Sequence, residues 1–247
     1  MVISYFVKTK NFLYEIYKYA IDYILPLRCP SCQVFISTND GFCADCWSKI
    51  NFISKPYCKL CGCGLGLSIL DGLTCGRCFS NSPKYELLRS LMKFNEHSKR
   101  IIHAFKYHDK TGLGKVFAKL LCQRYELEIS NVDLIIFVPM NKLKRLFRMY
   151  NQAQILAHEI ALILKKPLWH NVLIKSKWTK SQASLSKIER ERNLSNSLKF
   201  NSKYNIKGKK ILLVDDVMTT GTTINKCTKL LKQAGASSVC VVTIAMT

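Results

Sequence analysis

Ile211-Leu-Leu-Val-Asp-Asp-Val-Met-Thr-Thr-Gly-Thr-Thr223 is the stretch whose reading decides the fold. Ile211 to Val214 are four apolar residues in a row, the pattern of a strand buried on both faces of a parallel sheet. Asp215 and Asp216 stand where that strand is expected to end. A turn of hydroxyls around one glycine follows, from Thr219 to Thr223, and Ile224 to Ala234 then reads as a helix closed by Gly235. An acidic pair at a strand end also fits other α/β proteins, or an acidic magnesium pocket. The hydroxyl-rich turn favours a different ligand, a phosphate beside a sugar diol. A helix N-terminus offers unpaired N–H groups and partial positive charge to a phosphate. Gly221 lets the loop backbone take positive φ and approach closely. Thr219, Thr220, Thr222 and Thr223 bring hydroxyl donors, and Asp215 and Asp216 can accept from two ribose hydroxyls.

The segment resembles the phosphoribosyl-pyrophosphate (PRPP) loop of type I phosphoribosyltransferases. That resemblance implies that Asp215 and Asp216 hold the ribose 2- and 3-hydroxyls and that residues 219–223 cradle the 5-phosphate, with Mg²⁺ accompanying PRPP.

Around this loop, strands alternate with helices from about residue 84 onward. Leu87 to Phe94, Val132 to Val138, Leu168 to Ile174 and Ser238 to Met246 read as further strands. Glu96 to Phe105, Leu113 to Tyr125 and Asn151 to Leu164 read as helices. The expected class is α/β, a parallel sheet with helices on both faces. Ligands of such sheets sit beyond the carboxyl ends of the strands, where Asp215 and the loop after Pro139 both fall. That loop carries Lys142, Lys144, Arg145 and Arg148. Cations there can neutralise a pyrophosphate, as can Lys106 at the end of a helix. A solvated basic loop is the plainer reading of the same residues. Residues 180–193 are polar and weakly patterned, either a lid or a surface loop.

Ahead of this domain lie four Cys-x-x-Cys pairs: Cys29/Cys32, Cys43/Cys46, Cys58/Cys61 and Cys75/Cys78. Each pair can place two thiolates on one tetrahedral zinc. Four pairs give two structural four-cysteine sites over residues 28–80, a double zinc ribbon. We expect the first pair to join the second and the third to join the fourth; an interleaved pairing stays open, as does iron–sulfur ligation. A segment this short lacks the core to fold unaided, so metal should supply folding energy. Cys63 stands beside the third pair as a spare, while Cys122, Cys227 and Cys240 read as small core residues.

The 247 residues carry 38 basic and 16 acidic side chains, a formal net charge of +22. Two zinc–tetrathiolate centres lower this only to about +18. The balance fits a polyanion such as nucleic acid, and equally a lysine-rich proteome. Tyr107, Tyr150, Trp47 and Trp178 are aromatics that can stack bases, although ordinary packing is the better reading of Trp47. Residues 1–27 read as an amphipathic helix, packed on the protein or lying on a membrane surface. Lys8 and Lys10 interrupt the only early apolar run, and nothing approaches the ~20 apolar residues of a membrane span. The expected place is the cytoplasm, with the inner-membrane surface as the alternative.

Taken together, Lys106-Tyr107, Arg148-Met-Tyr-Asn-Gln152, Gln182 to Asn193 and Val214 to Thr223 resemble the ComF family (ComFC- and GntX-like proteins) over nearly the whole chain. That family joins a double zinc ribbon to a phosphoribosyltransferase domain, which would here be residues 84–247. The resemblance implies a part in DNA uptake during natural transformation, a single-stranded DNA partner and association with a ComFA-type helicase. One position departs from the family pattern. Met149 replaces the glycine of its Arg-Gly-Phe-Asn-Gln segment, where a tight turn or close phosphate approach would want glycine.

Overall fold

The structure, a computed structural model, describes residues 27–36, 41–66, 72–107, 112–140, 150–175 and 198–247. Residues 1–26 of the expected N-terminal helix lie outside these, as do the basic loop with Arg145 and Arg148, and the 180–193 segment. The chain divides into two compact units, Met1–Lys49 and Ile50–Thr247.

In the smaller unit the described residues form a tight turn at Cys29, held by Gln33 N–H donating to the Cys29 carbonyl at 2.9 Å. The short helix α1 (Ala44–Ser48) follows, with Cys43 as its N-cap. Cys46 is the only residue that this helix buries. Trp47, expected to pack, is 41% exposed.

The larger unit begins with a second cysteine segment and the short helix α2 (Gly76–Ser80). Strand β1 (Leu87–Lys93) and helices α3 (Glu96–Tyr107) and α4 (Gly112–Ile129) follow. Next come β2 (Leu134–Phe137), α5 (Gln152–Leu164), β3 (Leu173–Lys175) and β4 (Leu198–Phe200). The chain closes with β5 (Lys210–Met218), α6 (Thr222–Gln233) and β6 (Ser238–Met246). The main sheet has the order β1-β6-β5-β2 and is parallel throughout.

The central strands explain the apolar run that opened the reading. Ile211, Leu212, Leu213 and Val214 on β5, and Val241, Val242 and Ile244 on β6, are completely buried, as strands covered on both faces require. Helices α4 and α5 pack on each other and on the sheet. At Gly114 on α4 a Cβ would stand 2.6 Å from the Ile155 methyl, so any larger residue there would have to displace Ile155.

Two expectations about strands need correction. The segment from Leu168 to Ile174 is not one strand. Leu168 makes an isolated parallel bridge to Ile135, and Asn171 then takes a left-handed conformation (φ 57°), which an extended strand cannot pass through. Beyond it β3 pairs antiparallel with β4. The strand of the opening stretch does not end at the acidic pair either. β5 runs on to Met218, because β6 accompanies it to the register pair Met218↔Met246. Its other neighbour stops earlier, since the β2–β5 pairing ends at Phe137↔Val214. Asp215 and Asp216 therefore lie inside a strand, just past the point where one side of it is uncovered.

Candidate functional site

The two acids play different parts. Asp215 lines a cavity of about 50 Å³ with Met218, Thr219, Thr220, Gly221, Thr222 and Thr223. That is room for a few water-sized groups, the size of a phosphate rather than of a base. Gly221 is the N-cap of α6 with φ 74°, the left-handed conformation that the turn into the helix demands. The Thr220 and Thr222 hydroxyls lie 2.9 Å apart. From the far end of the chain, Thr247 donates its hydroxyl to the Thr219 carbonyl at 3.1 Å and its N–H to the Met218 carbonyl, pinning the start of the loop. The structure thus brings together Asp215 and the whole expected loop of residues 219–223.

Asp216 faces a different partner. Its Oδ2 is 2.7 Å from Lys106 Nζ, a pair about one-fifth exposed on both sides. Lys106 was expected to meet a pyrophosphate. In this structure its charge is committed to Asp216, so it holds the acidic end of β5 in place. The Asp216 N–H donates to Asp215 Oδ1 at 2.9 Å, and the Val217 N–H to Asp216 Oδ1 at 2.7 Å. Among the described residues none forms such a pair with Asp215, which feels the Lys106 charge only as a weaker pull. Protein encloses its carboxylate although part of the residue meets solvent; burial first, and the neighbouring Asp216 charge second, hold its pKa well above the usual carboxylate range. A group poised in this way gains by meeting hydroxyl donors or a divalent cation, and carboxylate oxygens suit Mg²⁺.

Two residues, one just ahead of α5 and one at its start, support Lys106, a role that sequence reasoning missed. Tyr150 donates its hydroxyl to the Phe105 carbonyl (3.1 Å), and Gln152 its amide to the Lys106 carbonyl (3.3 Å). These are last-turn carbonyls of α3 that lack helical partners. Asn151 caps α5, accepting from the Ala153 N–H, and donates to the Val138 carbonyl. The buried Gln152 was the available signal, since a glutamine opening an otherwise apolar helix needs a polar partner.

The cysteines gather in two places. In the smaller unit the sulfurs of Cys29, Cys32, Cys43 and Cys46 all lie within 4.8 Å of one another, the first pair with the second. In the larger unit Cys58, Cys61, Cys63 and Cys75 do the same. Cys63, expected as a spare, is thus inside the second group, and Cys78, expected as a ligand, lies outside it, buried on the helix that Cys75 caps. The two sites share one device. Burial raises the Cys29 and Cys58 thiols, but backbone N–H groups aimed at each sulfur outweigh it. They come from Cys32, Cys43 and Ser31 at Cys29, and from Cys75, Cys61 and Leu60 at Cys58, and they bring both thiols down to about 6. Thiolates prepared in this way fit a metal that binds only the deprotonated form, and four sulfurs fit tetrahedral zinc.

A parallel α/β sheet with an acid pair and a hydroxyl loop at a strand end, preceded by two four-cysteine groups, defines a phosphoribosyltransferase-fold protein with a double zinc ribbon. The double zinc ribbon domain family matches residues 20–79 and the phosphoribosyl transferase domain family residues 151–246. Competence protein F of Haemophilus influenzae is 30% identical over 222 residues, covering 86% of this chain and 93% of that protein. Competence protein ComFC of Streptococcus pneumoniae is 30% identical over 200 residues, covering 80% and 84%. The DNA utilization protein YhgH of Escherichia coli is 26% identical over 221 residues, covering 87% and 95%. The chain belongs to the ComF family. Among the described residues no helix is long and apolar enough to cross a membrane.

Proposed function

We propose that this protein binds PRPP with Mg²⁺ at the end of β5 and works on the cytoplasmic side in the uptake or use of DNA. The observation that carries the reading is the phosphate-sized cavity closed by Gly221 and the threonines, with Asp215 on its wall. In this reading the α6 N-terminus and the loop hydroxyls take the 5-phosphate, Asp215 and Asp216 orient the ribose hydroxyls, and Arg145 and Arg148 meet the pyrophosphate. Mg²⁺ would supply charge neutralisation on the diphosphate. The protein's own share is to position the sugar and balance developing charge, and Lys106 keeps Asp216 in register for this. Relatives named for competence and for DNA utilization support the DNA role. A ComFA-type helicase is the partner this role implies.

The net charge of +22 favours a second reading, a module that grips single-stranded DNA and uses the PRPP pocket for regulation without turnover. PRPP with Mg²⁺ should raise the melting temperature, and Asp215→Asn with Asp216→Asn should remove that rise; no rise in the unmutated protein sinks the pocket. Single-stranded DNA affinity should fall steeply with salt under both readings, and its absence removes the DNA role. Pyrophosphate release from PRPP separates the two: the transferase releases it and the regulated binder does not.

A further inference from the structure

The second cysteine cluster holds one sulfur more than a tetrahedral metal can use. Zinc–thiolate bonds of about 2.3 Å set tetrahedral sulfurs about 3.8 Å apart. Cys61 and Cys75 already stand at 3.7 Å, and Cys58, Cys61, Cys63 and Cys75 all lie within 4.8 Å of one another. Cys78 stands beside this group: it is buried one turn along α2 from Cys75, as Cys46 stands one turn along α1 from Cys43 in the first site, where both sulfurs belong to the cluster.

Both competing thiols are held in place. Cys78 is buried on α2, one turn beyond Cys75, the N-cap of that helix. Cys63 is fixed through its backbone, its carbonyl accepting from the Cys58 N–H at 2.8 Å. Gly62, between Cys61 and Cys63, takes φ 67°, and a Cβ there would stand 2.5 Å from the Leu88 carbonyl oxygen. The turn that delivers Cys63 is therefore locked against β1, and the thiol cannot drift away from the cluster.

We propose that the second zinc site is a five-thiol site in which Cys58, Cys61 and Cys75 are permanent ligands and Cys63 and Cys78 exchange at the fourth position. As one Zn–S bond forms, the incoming thiol gives up its proton, and as the other breaks, the displaced thiolate takes one up, so the zinc centre keeps four thiolates and the same charge in either state. The consequence is tolerance: the site keeps its metal when either exchanging thiol is lost to alkylation or substitution.

Zinc content of the full-length protein tests this. Cys63→Ser and Cys78→Ser should each retain about two zinc per chain, and the double variant about one. Loss of a zinc from either single variant overturns the exchange, since that residue is then an obligatory ligand. A second readout needs no variant. The unmutated zinc-loaded protein is alkylated with N-ethylmaleimide, the labelled residues are mapped by mass spectrometry and the zinc is counted. Label at half-exposed Cys63 with zinc still at about two per chain supports the proposal. Protection of Cys63 for as long as zinc is bound, or release of zinc once Cys63 is labelled, overturns it.

Discussion

The outer edge of β1 and the exposed end of β5 belong to one sheet but are finished in opposite ways. At β1 nearly every polar group is partnered. The preceding segment covers this strand: the Leu88 N–H donates to the Leu60 carbonyl, the Lys93 N–H to the Asn51 carbonyl, and the Leu91 carbonyl accepts from the Ile53 N–H. Arg89, 4% exposed, makes a two-pronged pair with Glu128 at 2.6 and 2.8 Å, donates to the Lys59 and Leu88 carbonyls, and lies over the Tyr57 ring. An edge strand left bare invites pairing with other chains, and this one is closed. At β5 the strand runs past its neighbour, Asp216 alone of the two carboxylates is ion-paired among the described residues, and the loop hydroxyls face a cavity. One end of the sheet is built for stability. The other holds unsatisfied chemistry that a ligand would complete, and its cost is met by the rest of the fold.

The sharpest way to break this contrast is to remove the buried cation. Arg89→Ala leaves Glu128 and two backbone carbonyls without their partner, and it should cost about 3–5 kcal/mol in urea denaturation. A loss under 1 kcal/mol would show that the β1 edge is no better knit than an ordinary surface. Gly62→Ala probes the same edge more gently. It asks alanine to take positive φ with its methyl against the Leu88 carbonyl, at an expected cost of about 1–3 kcal/mol. A neutral result would mean that the cysteine turn can shift off β1, and with it Cys63.

Much of the β5 end was legible in the sequence because its signals are local. An apolar run, an acid pair, a glycine among hydroxyls and a helix start lie within thirteen consecutive residues, 211–223, and each is read from its neighbours. The Cys-x-x-Cys knuckles are local in the same way. What could not be read depends on residues far apart in the chain. Arg89 meets Glu128 39 positions away, and Lys106 meets Asp216 across more of the chain still. Cys63 enters the second cluster because Gly62 turns the chain under Leu88, a contact that spacing does not encode. The break at Asn171 was hidden because a left-handed asparagine within an otherwise strand-like run leaves no periodic trace. Tyr150 read as a base-stacking aromatic and Gln152 as one residue of the family's Arg-Gly-Phe-Asn-Gln segment, and both donate to carbonyls at the end of the helix that carries Lys106.

The smallest expected effect has the opposite sign, and so tests the contrast most directly. Asp215 has its folded-state pKa held above the unfolded value, chiefly by burial and then by Asp216. As pH rises, the unfolded chain releases this proton first, so the folded state loses stability from the ordinary carboxylate range up to the raised pKa, and the whole penalty stands above it. Asp215→Asn keeps an oxygen to accept the Asp216 N–H and carries no charge. It should therefore stabilise the ligand-free protein at neutral pH, by about 0.5–2 kcal/mol, while weakening PRPP binding. The gain should shrink toward zero in acid, where Asp215 is protonated whether the chain is folded or not. Thermal melts of the two proteins across that pH range decide it. An asparagine variant less stable than the parent at neutral pH would mean that Asp215 is satisfied where it stands, and that the open end of β5 carries no stored demand for a ligand.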